Sequence, residues 1–212
     1  MRDLTLILDM SGSMAEDVDD TLGGINGMLK DQRGLGDDCR FTLVVFNDKC
    51  EVMIDHLPIG ECPRIDGNYY QPHGGTRILD AVGETVTKKR AKFDKDGKPD
   101  TIRLVIFTDG KEGRSRKFTK DQISAMLDEC GTDGWDVVFM GASMDDVNAA
   151  AAGGGAYTGR NTRTHSYDGN VQEAHTSMSM YFMSGNFGDP GVEAAEDPDS
   201  EAQGGDPGSE TE

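Results

Sequence analysis

Short apolar runs alternate with stretches of helical periodicity along most of the chain. Each apolar run is short enough to form one buried strand, and the five runs cover residues 4–8, 41–46, 51–57, 101–108 and 135–141. Between them, apolar residues recur every three or four positions in segments that begin near Glu16, Ile78 and Thr119. Such alternation is typical of a mostly parallel sheet with helices on both faces. The pattern therefore predicts an α/β fold.

One connection departs from the alternation. The runs 41–46 and 51–57 are separated by only four residues, too few for a crossover helix, so we expect them to form an antiparallel hairpin. The sequence indicates where one helix starts and where another helix ends. Thr119 and Gln122 have the spacing of a capping box, and the helix that starts near Ile78 is expected to end near Phe93.

The pattern becomes weaker after residue 141. We expect a short Ala-rich helix that ends at residues 153–155, and then either a brief edge strand or a polar loop within residues 156–168. Val171, Ala174, Met178, Tyr181 and Phe182 have the spacing of a last amphipathic helix. Residues 189–212 are rich in acid, proline and glycine and have few apolar side chains, so they are predicted to be a disordered tail. The predicted domain is residues 1–188.

Charge and hydropathy exclude several classes of partner. The net charge is −18, and the tail contributes nine acidic residues and no basic ones, which leaves −9 on residues 1–188. Because the bases are scattered, we expect neither nucleic acid nor an anionic membrane as a partner. No apolar run approaches the roughly 18 residues of a membrane span. A strand pattern that starts as early as Leu4 leaves no room for an export signal, so we expect a cytoplasmic protein.

The four cysteines show no metal-binding spacing. Cys39, Cys50, Cys62 and Cys130 form no CxxC motif and no paired Cys/His pattern. Reduced, partly buried thiols are therefore expected, with a structural zinc or a disulfide as the lesser alternative.

Three separated segments carry small oxygen-bearing side chains where an element ends or begins. Asp9, Ser11 and Ser13 follow the first strand, Thr76 follows Gly74 and Gly75 before a helix, and Asp109 follows the strand 101–108. In an open parallel sheet the loops at the carboxyl ends of the strands gather at one edge, where ligands bind. Two carboxylates and three hydroxyls form a hard-oxygen set suited to Mg²⁺ or Mn²⁺. Because these residues supply at most two negative charges and leave coordination positions to water, the bound cation would attract an external carboxylate.

These motifs resemble a known family. The sequence Asp-x-Ser-Gly-Ser, followed by Gly-Gly-Thr and then Thr-Asp-Gly, resembles the metal-ion-dependent adhesion site (MIDAS) of the von Willebrand factor type A (VWA) domain, over about two-thirds of the chain. The resemblance implies a three-layer Rossmann-like fold with a six-stranded sheet of order 3-2-1-4-5-6, in which strand 3 is antiparallel. It also implies a metal bound by Asp9, Ser11, Ser13, Thr76 and Asp109, with the shell completed by an acidic residue of a protein partner.

Three functions compete. The leading hypothesis is a noncatalytic, metal-dependent protein-binding module, such as an adaptor or assembly factor. The enzyme alternative is a magnesium-dependent phosphatase or phosphotransferase with Asp9 as nucleophile, although Ser11 occupies the place of the second carboxylate that such a site needs. In the third, an acid of the tail occupies the metal and inhibits binding. The sequence does not indicate an oligomeric state.

The residues around the motifs have two interpretations each. His73 could contact a bound ligand or be solvated, and Tyr69 and Tyr70 could form a recognition rim or pack over the sheet. A basic cluster could guide an acidic partner or be an ordinary charged loop; it comprises Lys111, Arg114, Arg116, Lys117 and Lys120.

Overall fold

The fold was determined as a computed structural model that describes residues 1–36, 38–108, 113–141 and 162–166, with 177–178 and 181–182. The strands are β1 (Arg2–Asp9), β2 (Cys39–Phe46), β3 (Cys50–Pro58), β4 (Thr101–Thr108), β5 (Trp135–Gly141) and β6 (Thr162–Ser166). The helices are α1 (Val18–Gly34), α2 (Ile78–Asp96) and α3 (Lys120–Thr132), and two 3₁₀ turns lie at Gly12–Asp17 and Ile59–Glu61.

The strands form one sheet in the order β3-β2-β1-β4-β5-β6. All neighbours pair in parallel except β2 and β3, which form the predicted antiparallel hairpin. The strand order and the antiparallel strand expected from the VWA resemblance are confirmed. The order reverses between β1 and β4, so the loops that leave these two strands at their carboxyl ends border the crevice where open α/β sheets bind ligands.

The two faces of the sheet carry separate apolar cores. On one face Leu4, Leu6 and Leu8 of β1 pack with Ile25 and Leu29 of α1. The opposite face of the sheet, which includes Ile7, packs against α2 and α3. Alternate residues of β1 therefore enter different cores, as expected for a strand covered on both sides.

The capping box predicted for α3 is present. The Thr119 side chain accepts a hydrogen bond from the Gln122 N–H, and the Gln122 side chain accepts one from the Thr119 N–H. Helix α2 ends later than predicted, at Asp96 rather than near Phe93. The extra turn is compatible with an ion pair between Lys92 and Asp96, and Gly97, at φ 96°, ends the helix.

The ambiguous region after β5 contains the brief edge strand, β6. Met178, Tyr181 and Phe182 are helical and buried, as the apolar pattern predicts. The Ala-rich segment, the rest of the last predicted helix and the acidic tail lie outside the described residues. Within the described part, no helix is both long and apolar enough to cross a bilayer.

None of the four cysteines forms a disulfide in the structure. Cys39, Cys62 and Cys130 are buried. Burial raises the pKa of Cys50 and of Cys62 to about 11, which keeps both thiols protonated near neutral pH.

A buried ion pair lies at the amino end of β1, on the face covered by α2. Asp3 is fully buried, and its two carboxylate oxygens lie 2.8 and 2.9 Å from the Lys89 Nζ of α2. Lys89 also donates to the Thr42 Oγ1 at 2.7 Å, and the His56 Nδ1 lies 2.8 Å from Asp3. Burial lowers the pKa of His56, which favours the neutral ring as a donor to Asp3. The cluster links β1, β2, β3 and α2.

Removing one member of this pair should destabilise the fold. We expect Lys89→Ala to lower the free energy of unfolding by about 3–5 kcal/mol, because Asp3 is left buried without its cation. Chemical denaturation measures the change. Lys88→Ala is the matched control: Lys88 is the exposed neighbour, and its removal should change stability by less than about 0.5 kcal/mol. Equal effects of the two substitutions would contradict a stabilising role for the pair.

Candidate metal centre

Asp9 is the last residue of β1, and its side chain is fully buried. One carboxylate oxygen accepts the Ser11 N–H at 2.7 Å, and the other accepts the hydroxyl of Thr108, the last residue of β4. The carboxylate therefore joins the carboxyl ends of the two central strands and orients the loop that follows β1.

The two serines of this loop present their hydroxyls to each other. The Ser11 Oγ and Ser13 Oγ lie 3.1 Å apart, with Ser11 buried and Ser13 exposed. The Met14 N–H donates to the Ser11 carbonyl and begins the 3₁₀ turn on which Ser13 sits. Two adjacent ligands of an octahedral Mg²⁺ are about 3 Å apart, as metal–oxygen distances of about 2.1 Å at right angles require. The serine hydroxyls have this spacing.

The loop that contains Thr76 lies directly against the first loop. The Gly12 N–H donates to the Gly74 carbonyl at 3.2 Å, and the His73 N–H donates to the Met10 carbonyl at 2.9 Å. Gly74 has a φ of 77°, and a Cβ at this position would lie 2.5 Å from the Asp48 Oδ2. The positive φ favours glycine at this position, whereas the Asp48 side chain could move to make room for a Cβ.

The residues on either side of the third loop contact the other two loops. Thr108 binds Asp9 before the loop, and the N–H groups of Gly113 and Arg114 lie 3.4 and 3.2 Å from the Thr76 carbonyl after it. Asp109 itself lies outside the described residues. The structure thus brings together the loops of Asp9, Ser11, Ser13 and Thr76 with both flanks of the segment that contains Asp109.

These residues provide suitable ligands for a hard dication. The described donors near the loop are a carboxylate and hydroxyls, all of them oxygen, which suits Mg²⁺ or Mn²⁺ better than Zn²⁺. Within the described ranges there is no group of three or more His, Cys, Asp or Glu side chains that could hold a metal. Among the described residues, the oxygen atoms available to a metal at these loops are therefore those of Asp9 together with serine and threonine hydroxyls.

The aromatic residues near the loops have structural contacts. Tyr70 is buried, and its hydroxyl donates to the Asp9 carbonyl at 2.9 Å, so it packs over the sheet rather than forming a rim. Tyr69 is half-buried against the same core. His73 is exposed, with Nδ1 2.6 Å from the Gln71 carbonyl and Nε2 3.3 Å from the Asn47 amide.

Two members of the basic cluster have acidic partners. Arg114 binds Asp48 at 2.9 Å, and Lys117 binds Glu84 at 2.7 Å. Asp48 also accepts the Gly75 N–H at 3.2 Å, and this hydrogen bond, together with Arg114, keeps the pKa of Asp48 below its ordinary value. Lys111 lies outside the described residues.

Asp80 is a positioning residue that the sequence analysis missed. It is buried in the first turn of α2, and its carboxylate accepts the N–H groups of Arg116, Lys117 and Phe118 at 2.9, 2.8 and 3.1 Å. The Asp80 N–H in turn donates to the Ser115 Oγ at 3.1 Å. The segment that follows β4 is therefore attached to α2. Asp80 was missed because an acid in the first turn of a helix is usually explained by its favourable interaction with the helix dipole alone.

Comparisons with known proteins identify the fold but no close relative. No protein-family model and no curated protein matches the chain. Among solved structures, proximal thread matrix protein 1 from the mussel byssus is similar at a TM-score of 0.53 and 14% identity; the match covers 84% of this chain and 45% of that one. This chain thus spans less than half the length of that neighbour.

Two further neighbours match over more of their own length. The SpRpn10 VWA domain is similar at a TM-score of 0.53 and 8% identity, with coverage of 82% of this chain and 95% of that domain. Manganese-loaded TRAP protein from Plasmodium vivax is similar at 0.52 and 15%, with coverage of 84% and 72%. At these identities the similarity establishes the fold alone, and the fold is that of a VWA domain.

Asp80 should keep the segment after β4 in place. We expect Asp80→Ala to lower the free energy of unfolding by about 3 kcal/mol, because three N–H groups lose a charged acceptor. The amides of Arg116, Lys117 and Phe118 should exchange with deuterium faster than in the wild type, which hydrogen-exchange mass spectrometry or NMR measures. In Glu84→Gln, which alters only a contact to the exposed Lys117, these amides should stay protected. Unchanged exchange in Asp80→Ala would contradict the assignment.

Proposed function

We propose that this chain is a noncatalytic protein-binding module that depends on a divalent cation, Mg²⁺ or Mn²⁺. The residues that would hold the cation are Asp9, Ser11, Ser13, Thr76 and Asp109, and the captured group is an aspartate or glutamate carboxylate of a protein partner. When bound, the cation supplies a Lewis-acidic position for an anionic ligand. Such a module would serve as an adaptor or assembly factor.

The spacing of the serine hydroxyls is the observation that carries the proposal. Ser11 and Ser13 direct their Oγ atoms to within 3.1 Å of each other, which matches adjacent ligands of an octahedral cation. In the absence of a cation, the same spacing is a hydrogen bond between the hydroxyls. The two hydroxyls can therefore adopt this spacing before a cation binds, and their lone pairs can then coordinate the metal.

The surroundings of Asp9 support an indirect role for its carboxylate. Both oxygens accept hydrogen bonds from the protein, which favours contact with the cation through a metal-bound water over direct coordination. Full burial and these two contacts also disfavour the phosphotransferase alternative, because a nucleophile must reach its substrate. Asp9 instead fixes the position of the loop that carries the serines.

Charge supports an acidic ligand. Asp9 and Asp109 are the two carboxylates of the proposed set, so together they at most neutralise a dication, and hydroxyl ligands add no charge. A partner's carboxylate would then remain attractive to the site. The manganese-loaded TRAP structure is one VWA-like neighbour that carries such a cation, and the SpRpn10 domain is a second neighbour with the same fold.

The serines should be required for cation binding but not for folding. We expect wild-type protein to bind one Mn²⁺, and we expect Ser11→Ala and Ser13→Ala to weaken binding by about tenfold or more, since each removes a direct ligand. Electron paramagnetic resonance of free Mn²⁺ measures binding, and thermal unfolding checks the fold. Thr87→Ala, which removes an exposed hydroxyl from α2, is the control and should bind normally.

Partner capture should follow cation binding. Proteins retained from the source cell in Mg²⁺ should elute in EDTA, and Ser13→Ala and Asp109→Ala should fail to retain them. Retention that is equal in Mg²⁺ and in EDTA, or Mn²⁺ binding that is unchanged in both serine variants, would contradict the proposed function.

A further inference from the structure

The turn between β2 and β3 lies at the same edge of the sheet as the three loops of the candidate metal centre. Asp9, the last residue of β1, pairs with Phe46, the last residue of β2, and the Met10 N–H donates to the Phe46 carbonyl at 2.7 Å. The hairpin turn, residues 47–49, therefore begins beside the loop that carries the serines. None of its three residues belongs to the metal-binding motifs of the sequence.

Asn47 closes this turn and contacts the residue before Gly74. Its N–H donates to the Lys49 carbonyl at 2.9 Å, and its Oδ1 accepts the Lys49 N–H at 3.0 Å. The Asn47 side chain is buried, and its amide nitrogen lies 3.3 Å from the His73 Nε2. Asparagine commonly closes turns through such contacts with the backbone two residues on. The turn therefore presents residue 48 from a backbone that is fixed on both sides.

Asp48 contacts the residue after Gly74. Its Oδ2 accepts the Gly75 N–H at 3.2 Å, and its Oδ1 accepts a hydrogen bond from the Arg114 Nη1 at 2.9 Å. The Arg114 side chain lies across the same glycine, since a Cβ built at Gly75 would be 2.5 Å from the Arg114 Nε. The Arg114 N–H donates to the Thr76 carbonyl at 3.2 Å. One carboxylate thus joins the residue that precedes Thr76 to the segment after β4.

These contacts act on the Thr76 loop more than on overall stability. The side chains of Arg114 and Asp48 are 60% and 40% exposed, and exposed ion pairs contribute little to folding. Gly75 lies outside the helices and strands, so its N–H takes its acceptor from a side chain. Groups that hydrogen-bond beside a metal ligand commonly determine how well that ligand is oriented. Asp48 has this relation to Thr76.

We propose that Asp48 is a positioning residue of the metal centre, which orients Thr76 for the cation through the Gly75 N–H and does not coordinate the metal itself. The hairpin turn is then a fourth loop of the site. The inference rests on the proposed function, since it concerns the same cation. A carboxylate kept outside the coordination shell is compatible with capture of an acidic partner, because it adds no ligand to the metal.

Substitutions of Asp48 separate positioning from charge and from coordination. Asp48→Ala removes the acceptor of the Gly75 N–H, and we expect it to weaken Mn²⁺ binding about tenfold, at the lower end of the effect of residues that orient metal ligands. Asp48→Asn keeps an oxygen acceptor without the charge, so it should restore most of the affinity. Glu51→Gln removes one charge from an exposed acid three residues further along the hairpin and is the matched control, which should bind as the wild type does. Electron paramagnetic resonance of free Mn²⁺ measures the affinities.

A second measurement does not involve the metal. In metal-free protein, the Gly75 amide should exchange with deuterium faster in Asp48→Ala than in the wild type, because its acceptor is lost. The same amide should stay protected in Asp48→Asn and in Glu51→Gln, and NMR resolves it individually. Thermal unfolding of all three variants should stay close to that of the wild type, since both side chains reach solvent.

The outcomes separate this inference from the proposed function. If the wild type binds Mn²⁺ but Asp48→Ala binds it equally well, or leaves the exchange of the Gly75 amide unchanged, the positioning role is wrong and the proposed function stands. Asp48→Asn that binds as weakly as Asp48→Ala while its Gly75 amide stays protected would also overturn the inference, because the carboxylate would then act by its charge or as a ligand. If the wild type binds no Mn²⁺, the proposed function fails and this inference fails with it.

Discussion

The candidate site depends on one buried carboxylate. Asp9 lies at the carboxyl end of the central strand, where it accepts one hydrogen bond from its own loop and one from the end of β4. Taking a carboxylate out of water is unfavourable unless its oxygens are paired, so these contacts determine where the loop begins and how the two strand ends are joined. The position of the serine hydroxyls follows from this constraint.

Strand β1 carries a second buried carboxylate near its other end. Asp3 pairs with Lys89 and stabilises the contact of the sheet with α2, whereas Asp9 orients a loop at the edge of the sheet. Asp80 has a related role, because it attaches the segment after β4 to the same helix. Buried acids thus connect the packing of α2 to the arrangement of the three loops.

Local patterns predicted most of the fold. The bounds of β4 and β5 follow from apolar runs between breaking residues, the hairpin follows from its short link, and the cap of α3 follows from the spacing of Thr119 and Gln122. The strand order was an implication of the resemblance to VWA domains, and the structure has that order. Helix α2 was predicted one turn too short because the segment after Phe93 was taken as a break, whereas Gly97 ends the helix.

The sequence indicates which residues would form the candidate site, but it does not indicate the contacts that hold its loops together. Asp9, Ser11, Ser13 and Thr76 stood out because small oxygen-bearing residues follow or precede regular elements. The contacts of Thr108 with Asp9, of Asp80 with the segment after β4 and of Asp48 with Gly75 join residues that are distant in sequence. The periodicity of apolar residues gives no sign of contacts between residues so far apart in the sequence.

The central claim is that the loops at the carboxyl ends of β1 and β4 hold a hard dication through serine oxygens. The most direct test is a crystal of the protein soaked in Mn²⁺, with diffraction data collected at the manganese absorption edge. The account predicts an anomalous peak at coordinating distance, about 2.2 Å, from both the Ser11 and the Ser13 Oγ atoms. No peak at this position, in crystals whose serines are ordered and open to solvent, would contradict it.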